Sequence, residues 1–309
     1  MKSEHVIVAA LLVFFGISCS PSVGEPSMTD LPTSFIGTDS PIPTSILTKV
    51  NPSKTPMKET PPSPSPTTGL AANILSTDVF YGLLTWDNMA FFNNCWGSGY
   101  IQHKELVSCS IFYDPSASLS HWQWSWPQEA VAELKGYPTL FIGDKVNAPA
   151  GYDRSTDPRF PLHLPSMKSL WAEGDLQVAA TGDFDFAFDL AFLEGNISTP
   201  KAVRSEIMIW LAASKDCPAR KESEYNIDGS AYSLCMNTDW NPGVTYMAFV
   251  LEGESKPQRL PIHEFIKIAI QKGYVDPDAY LAAVELGPEI WWGEGEASMR
   301  DYRILLKVD

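Results

Sequence analysis

Gly182 to Phe192 reads GDFDFAFDLAF, and its alternation decides the fold. Successive side chains of a β-strand point to opposite faces. Phe184, Phe186, Phe188, Leu190 and Phe192 therefore share one face, and Asp183, Asp185 and Asp189 the other. A strand divided in this way packs a dry side on a second sheet and presents a wet, acidic side.

Outward from that stretch the pattern repeats. Between Ser205 and Ala212, Ile207, Ile209 and Leu211 face one way and Glu206, Met208 and Trp210 the other. His121 to Trp126 reads HWQWSW, which puts Trp122, Trp124 and Trp126 on a single face. Tyr280 to Glu289 reads as another strand, with Glu285, Gly287 and Glu289 together on one side. One helix is expected, over Pro261–Ile270, with Pro near its start and Gly273 past its end. These elements predict an all-β chain, two packed antiparallel sheets with one main helix, from about Leu70 to Asp309.

The chain has 309 residues and a formal net charge of −15, from 22 Lys+Arg against 37 Asp+Glu. Nucleic acid is an improbable partner, because phosphate binding needs a basic footprint. Met1 to Cys19 combines an early Lys with an apolar run from Val6 to Ser18, too short to span a bilayer, and reads as a signal peptide. Its end, Gly16-Ile17-Ser18-Cys19, resembles a bacterial lipobox, although Gly16 stands where Leu is preferred. Residues 20–69 are dominated by Ser, Thr and Pro and read as an extended tether. The chain is thus expected to be exported, extracellular or held at a bacterial cell surface through a lipid on Cys19.

With Cys19 set aside, Cys95, Cys109, Cys217 and Cys235 remain, an even set in an exported chain. Proximity favours Cys95–Cys109 and Cys217–Cys235 among three connectivities.

His5, His103, His121, His163 and His263 fall in no metal-ligand pattern, and His263 reads as a surface or capping residue. No GxSxG elbow, P-loop or dinucleotide fingerprint occurs. What stands out is acids on strand faces beside Trp. Sugar rings stack on flat aromatic faces, and two carboxyl groups flanking a glycosidic bond can cleave it. The face shared by Glu206, Met208 and Trp210 looks like the lining of a groove.

Ser205-Glu206-Ile207-Met208-Ile209-Trp210-Leu211 resembles the nucleophile strand of glycoside hydrolase family 12. Four further stretches match that family in order: Asn93-Asn94-Cys95-Trp96-Gly97, Leu134-Lys135-Gly136-Tyr137-Pro138, Phe188-Asp189-Leu190, and Gly287-Pro288-Glu289-Ile290-Trp291-Trp292-Gly293. The resemblance covers nearly all of residues 75–309. It implies a β-jelly-roll sandwich with a concave groove and retaining, endo-acting hydrolysis of β-1,4-glucans. By position Glu206 matches the nucleophile, Glu289 the general acid/base, and Asp189 the aspartate that orients the nucleophile. Asn94 and Trp96 match residues lining the non-reducing side of the cleft, Met208 and Trp291 are further candidates for binding substrate, and one of Trp122, Trp124 and Trp126 is a candidate for stacking a glucose ring. No cofactor or metal is implied, and a monomer is expected. Departures are Ile290 in place of a Pro, the added bulk of Trp292, and Cys95 inside the first motif, where family members pair the cysteine matching Cys109 with one near the domain's start. The alternatives are a xyloglucan-specific enzyme of the same family and a non-catalytic surface lectin that binds glucan.

If Cys19 is lipidated, the native protein partitions with membranes and Cys19→Ala releases it, because one anchor carrying several acyl chains binds stably where a single chain does not. Detergent phase separation of the two proteins reads this directly, and an unmodified mature N-terminus rejects it.

Overall fold

Phe184, Phe186, Phe188, Leu190 and Phe192 are all buried, at 7% exposure or less, on a strand that runs Asp183–Leu193. The computed structural model describes residues 74–96, 107–128, 134–148, 152, 155–214, 220–241 and 243–309. The signal peptide, the lipobox and the linker expected from the sequence lie outside the described residues. In chain order the first strands are β1 (Leu75–Thr77), β2 (Leu83–Trp86), β3 (Met89–Phe92), β4 (Ser108–Asp114), β5 (Leu119–Trp126), β6 (Thr139–Gly143), β7 (Leu162–His163) and β8 (Met167–Ala180). They are followed by β9 (Asp183–Leu193), β10 (Val203–Ala213), β11 (Arg220–Ile227), β12 (Ser230–Asn241), β13 (Val244–Leu251), β14 (Arg259–Leu260), the helix α1 (Ile262–Gln271), β15 (Tyr280–Leu281) and β16 (Ala283–Val308).

The outer sheet runs β1-β4-β5-β16-β8-β14. The second sheet runs β2-β3-β6-β16-β9-β10-β13-β12-β11. All pairs are antiparallel except β10 with β13, whose parallel register runs from Ser205↔Thr245 to Trp210↔Val250. That exception follows from the β11-β12-β13 meander, which returns to insert β13 between β12 and β10. The strand expected over Tyr280–Glu289 is split, and its main part is much longer. β16 extends 26 residues, pairing β6 and β9 with its first half and β5 and β8 with its second. One strand therefore belongs to both sheets.

Packing between the sheets is aromatic. Trp122 meets Phe186 edge-on with ring centroids 5.1 Å apart, Trp124 tilts against Phe184 at 5.9 Å, and Phe80 stacks on Trp126 at 6.0 Å. All three Trp side chains are buried, at 2% exposure or less. None of them can stack a sugar. The HWQWSW face is core, because the Phe face of β9 needs an equally apolar surface opposite it.

The helix has Pro261 at its N-cap and ends before Gly273, as its sequence implies. His263 is buried, not on the surface: its Nδ1–H donates to the Leu170 carbonyl at 3.0 Å and its ring lies against Trp171. The Cys95–Cys109 disulfide is formed, with Cα atoms 6.7 Å apart. Cys235 is also disulfide-bonded, and Cys217, its expected partner, lies outside the described residues.

Where β16 leaves one sheet for the other, its backbone touches the turn before β9. Gly293 (φ +111°) and Gly182 (φ +90°) face each other, both in the region that favours glycine. A Cβ on Gly293 would lie 2.1 Å from the Thr181 carbonyl oxygen, and one on Gly182 2.3 Å from that of Trp292. Gly293→Ala should therefore cost about 2–3 kcal/mol, seen as a lowered denaturant midpoint. An unchanged midpoint would mean that this crossing carries no constraint.

Candidate active site

The face of β9 that turns away from the core carries Asp185, Ala187 and Asp189. β10 sets Met208 opposite Asp189, Trp210 opposite Ala187 and Glu206 opposite Ala191. On the other side β16 sets Glu285 opposite Asp189 and Glu289 opposite Asp185. Tyr246 of β13 lies beside Glu206. Five carboxyl groups from three neighbouring strands thus share one face.

This face is drier than its composition suggests. Asp185 is fully buried, Glu285 and Glu289 are 5% and 9% exposed, and Asp189 and Glu206 are half-buried. The wet side expected of β9 is in fact the floor between β10 and β16. Burial penalises every ionised acid here. It pushes Glu206 up from 4.5 to about 7, with the Glu285 charge adding to the rise and Lys145 opposing it. Burial, then the charges of Glu206, Glu285 and Glu289, holds Asp189 well above the usual carboxylate range, again against Lys145. Burial also raises Glu285, while its ion pair and hydrogen bond with Lys145 pull it back.

Glu206 and Glu289 share this face from either side of β9, Glu206 opposite Ala191 and Glu289 opposite Asp185, and both charges act on two further groups. Asp189 feels both charges. Tyr246, whose hydroxyl donates to Met208 Sδ at 3.1 Å, is held well above its ordinary value first by burial and then by Glu289, Asp185, Glu206 and Asp189. Asn94 and Trp96 join the same neighbourhood through the backbone. Trp96 N–H donates to Lys135 O at 2.9 Å, Tyr137 N–H donates to Asn94 O at 2.8 Å, and Lys135 N–H donates to Ile290 O at 2.7 Å. The segment bearing Asn94 and Trp96 is therefore tied to the strand bearing Glu289. Both side chains are half-buried, and Cys95 between them turns into the core to its disulfide.

Trp291 is half-buried, beside a register shift between Ile290 and Trp292. Met208 is buried, with its sulfur engaged by Tyr246. Sequence reasoning missed Lys145, Tyr137 and Tyr246 as parts of this neighbourhood. Tyr137 sits in a quoted motif and could have been found there. Lys145 and Tyr246 carry no local signature. Among the described residues no group of three or more His, Cys, Asp and Glu side chains could hold a metal ion.

A family model described as glycosyl hydrolase family 12 matches residues 88–307, most of the chain. The chain belongs to this family. Its fold is that of known family 12 enzymes, and it is a glycoside hydrolase. One relative, Endoglucanase S of Pectobacterium parmentieri, is 28% identical over 222 residues, covering 70% of this chain and 81% of that protein. Among solved structures, a family 12 xyloglucanase from Bacillus licheniformis superposes with a TM-score of 0.65 at 22% identity, covering 75% of this chain and all of its own. Endoglucanase cel12A from Rhodothermus marinus gives 0.64 at 18%, covering 76% of this chain and all of its own. At those identities the structures speak for the fold alone.

The raised value of Glu206 makes a stability prediction for this family 12 enzyme. A carboxyl group that binds its proton more tightly folded than unfolded stabilises the fold below its unfolded value. That contribution is lost as the pH climbs from about 4.5 to about 7. Glu206→Gln should therefore be more stable than the wild type at pH 7, by on the order of 2–3 kcal/mol, with no advantage at pH 4. Denaturant unfolding at the two pH values measures both; an advantage largest at pH 4 refutes the assignment.

Proposed function

We propose that this family 12 hydrolase is a retaining endo-β-1,4-glucanase, with Glu206 as nucleophile and Glu289 as general acid/base. What supports this reading is that Glu206 and Glu289 stand on one face, on the strands either side of β9, each in a stretch that resembles a catalytic motif of the family. Glu206, ionised, attacks the anomeric carbon. Glu289, in its acid form, gives its proton to the leaving oxygen and later takes one from the water that releases the glycosyl-enzyme. Burial and the neighbouring charges favour the proton on Asp189, which beside an ionised Glu206 would act as a neutral donor that orients the nucleophile without repelling it. Asn94, Trp96 and Trp291 would hold glucose units along the groove, with Met208 and Tyr246 forming its floor.

Endo action on a β-1,4-glucan accords with the name of Endoglucanase S. We further read residues 1–19 as an export signal with a lipid site at Cys19, residues 20–69 as a tether, and the enzyme as a monomer working outside the cell. Turnover on soluble cellulose derivative, barley glucan and xyloglucan compares the substrate choices, and binding without turnover on all three leaves the lectin.

Glu206→Gln should fold and lose about 10³-fold or more of kcat. Glu289→Gln should lose activity on polymer yet keep much of its kcat/KM on an aryl cellobioside whose leaving group needs no proton, while kcat falls because release of the glycosyl-enzyme has lost its base. Glu285→Gln should retain more polymer activity than Glu289→Gln. Steady-state kinetics on the two substrate types decide, and the reverse ranking of the last two variants would move the acid/base to position 285.

A further inference from the structure

Lys145 and Glu285 are unaccounted for by that mechanism. Both side chains are almost fully buried, at 6% exposure each, and they meet in an ion pair through Lys145 Nζ and Glu285 Oε2. Replacing such a pair with apolar residues is often neutral or stabilising, so stability alone is a poor reason for it.

Its placement is built. Lys145 follows β6 at the point where Asp144 N–H donates to Ala282 O at 2.8 Å, just ahead of β16. The next residue, Val146, packs with Leu193 and Ala282. Lys145, one position earlier, turns the other way, and its ammonium lies 5.6 Å from the Tyr137 ring centre and 5.9 Å from that of Phe141. Phe141 is the β6 partner of Glu285, and Glu285 is the β16 partner of Asp189. The pair thus occupies the row of the sheet that contains Asp189 and Met208, next to Glu206. The groups facing it are Asp185 and Asp189 from β9, Glu206 from β10, Glu289 from β16, Tyr246 from β13 and Tyr137, with Lys135 buried in the segment that bridges to Ile290.

We propose that Lys145 and Glu285 are positioning residues that set the charge state of Glu206 and Asp189, and take no part in making or breaking bonds. The inference rests on the reading of Glu206 as nucleophile. Glu285 places a fixed negative charge directly across from Asp189, which favours the proton on Asp189. Lys145 keeps that charge on Glu285 and, reaching past its partner, makes ionisation of Glu206 and Asp189 easier. The opposed signs fit the directions seen at both acids, where Glu285 raises and Lys145 lowers. Without Lys145, Glu285, Glu206 and Asp189 would compete for too few protons, and the charge would often rest on the wrong acid.

The test uses Glu285→Gln, Lys145→Met and the double variant. Two pH profiles are read for each: kcat/KM on an aryl cellobioside, and the rate of covalent labelling by an activated 2-deoxy-2-fluoro cellobioside, which requires an ionised nucleophile. Glu285→Gln should move the acid limb of both profiles down by about one pH unit, since it removes a negative charge and leaves Lys145. Adding Lys145→Met should move the limb back up by a similar amount. Lys145→Met alone should lose at least tenfold in kcat/KM, and most of that loss should be recovered in the double variant. Acid limbs that stay put in folded Glu285→Gln and double variants, or move in the same direction at both steps, overturn the proposal. Should Lys145→Met alone fail to fold, those two variants still decide. Mass spectrometry of the labelled wild type separates the two levels. Label on Glu206 with immobile limbs sinks only the present inference, whereas label on another residue sinks the nucleophile assignment and this proposal with it.

Discussion

The contact between the phenylalanine face of β9 and the tryptophan face of β5 is the constraint on which the rest depends. Each large aromatic side chain withdrawn from water there contributes roughly 1.5–3 kcal/mol, and edge-on pairs such as Trp122 with Phe186 add direction to that gain. Because alternation is strict, committing Phe184, Phe186 and Phe188 to the core also commits Asp185 and Asp189 to the opposite face. A slip of one residue would drive aspartates between the sheets. The acids of that face are therefore held in register by the hydrophobic contact behind them.

The second constraint is charge crowding. Five carboxyl groups on one half-dry face cannot all ionise. Burial and the neighbouring charges favour the proton on Asp189, burial pushes Glu206 up to about 7, and Glu285 pairs with Lys145. One face thereby holds acids of different proton affinity.

Much of this was legible in the chain itself. Period-two alternation exposed β9 and β10 and put Glu206 and Asp189 on the non-core face, because that signal is local. Pro261 and Gly273 bracketed α1 for the same reason. What escaped was non-local. That all three Trp of HWQWSW are core, with none left to stack a sugar, depends on which sheet lies opposite them. That Asp185 is buried depends on β9 being flanked by β10 and β16. Lys145 sits 140 residues from Glu285, and no spacing rule links them. The parallel pairing of β10 with β13 is likewise a matter of how a meander returns, which alternation does not encode.

The strand shared between the sheets has a bearing on the order of assembly. Every neighbour of β16 (β5, β6, β8 and β9) precedes it in the chain. Until it docks, β6 has no link to β9 and β5 none to β8, so both sheets exist only as separate halves. Contacts of such long sequence separation form late, since the loop-closure entropy must be met before they yield anything. The chain should thus stay open through most of its synthesis and close both layers in one concerted step. The last event in folding would also be the one that brings Glu285 and Glu289 alongside Asp189 and Asp185, so the cluster of acids and the native fold would arrive together.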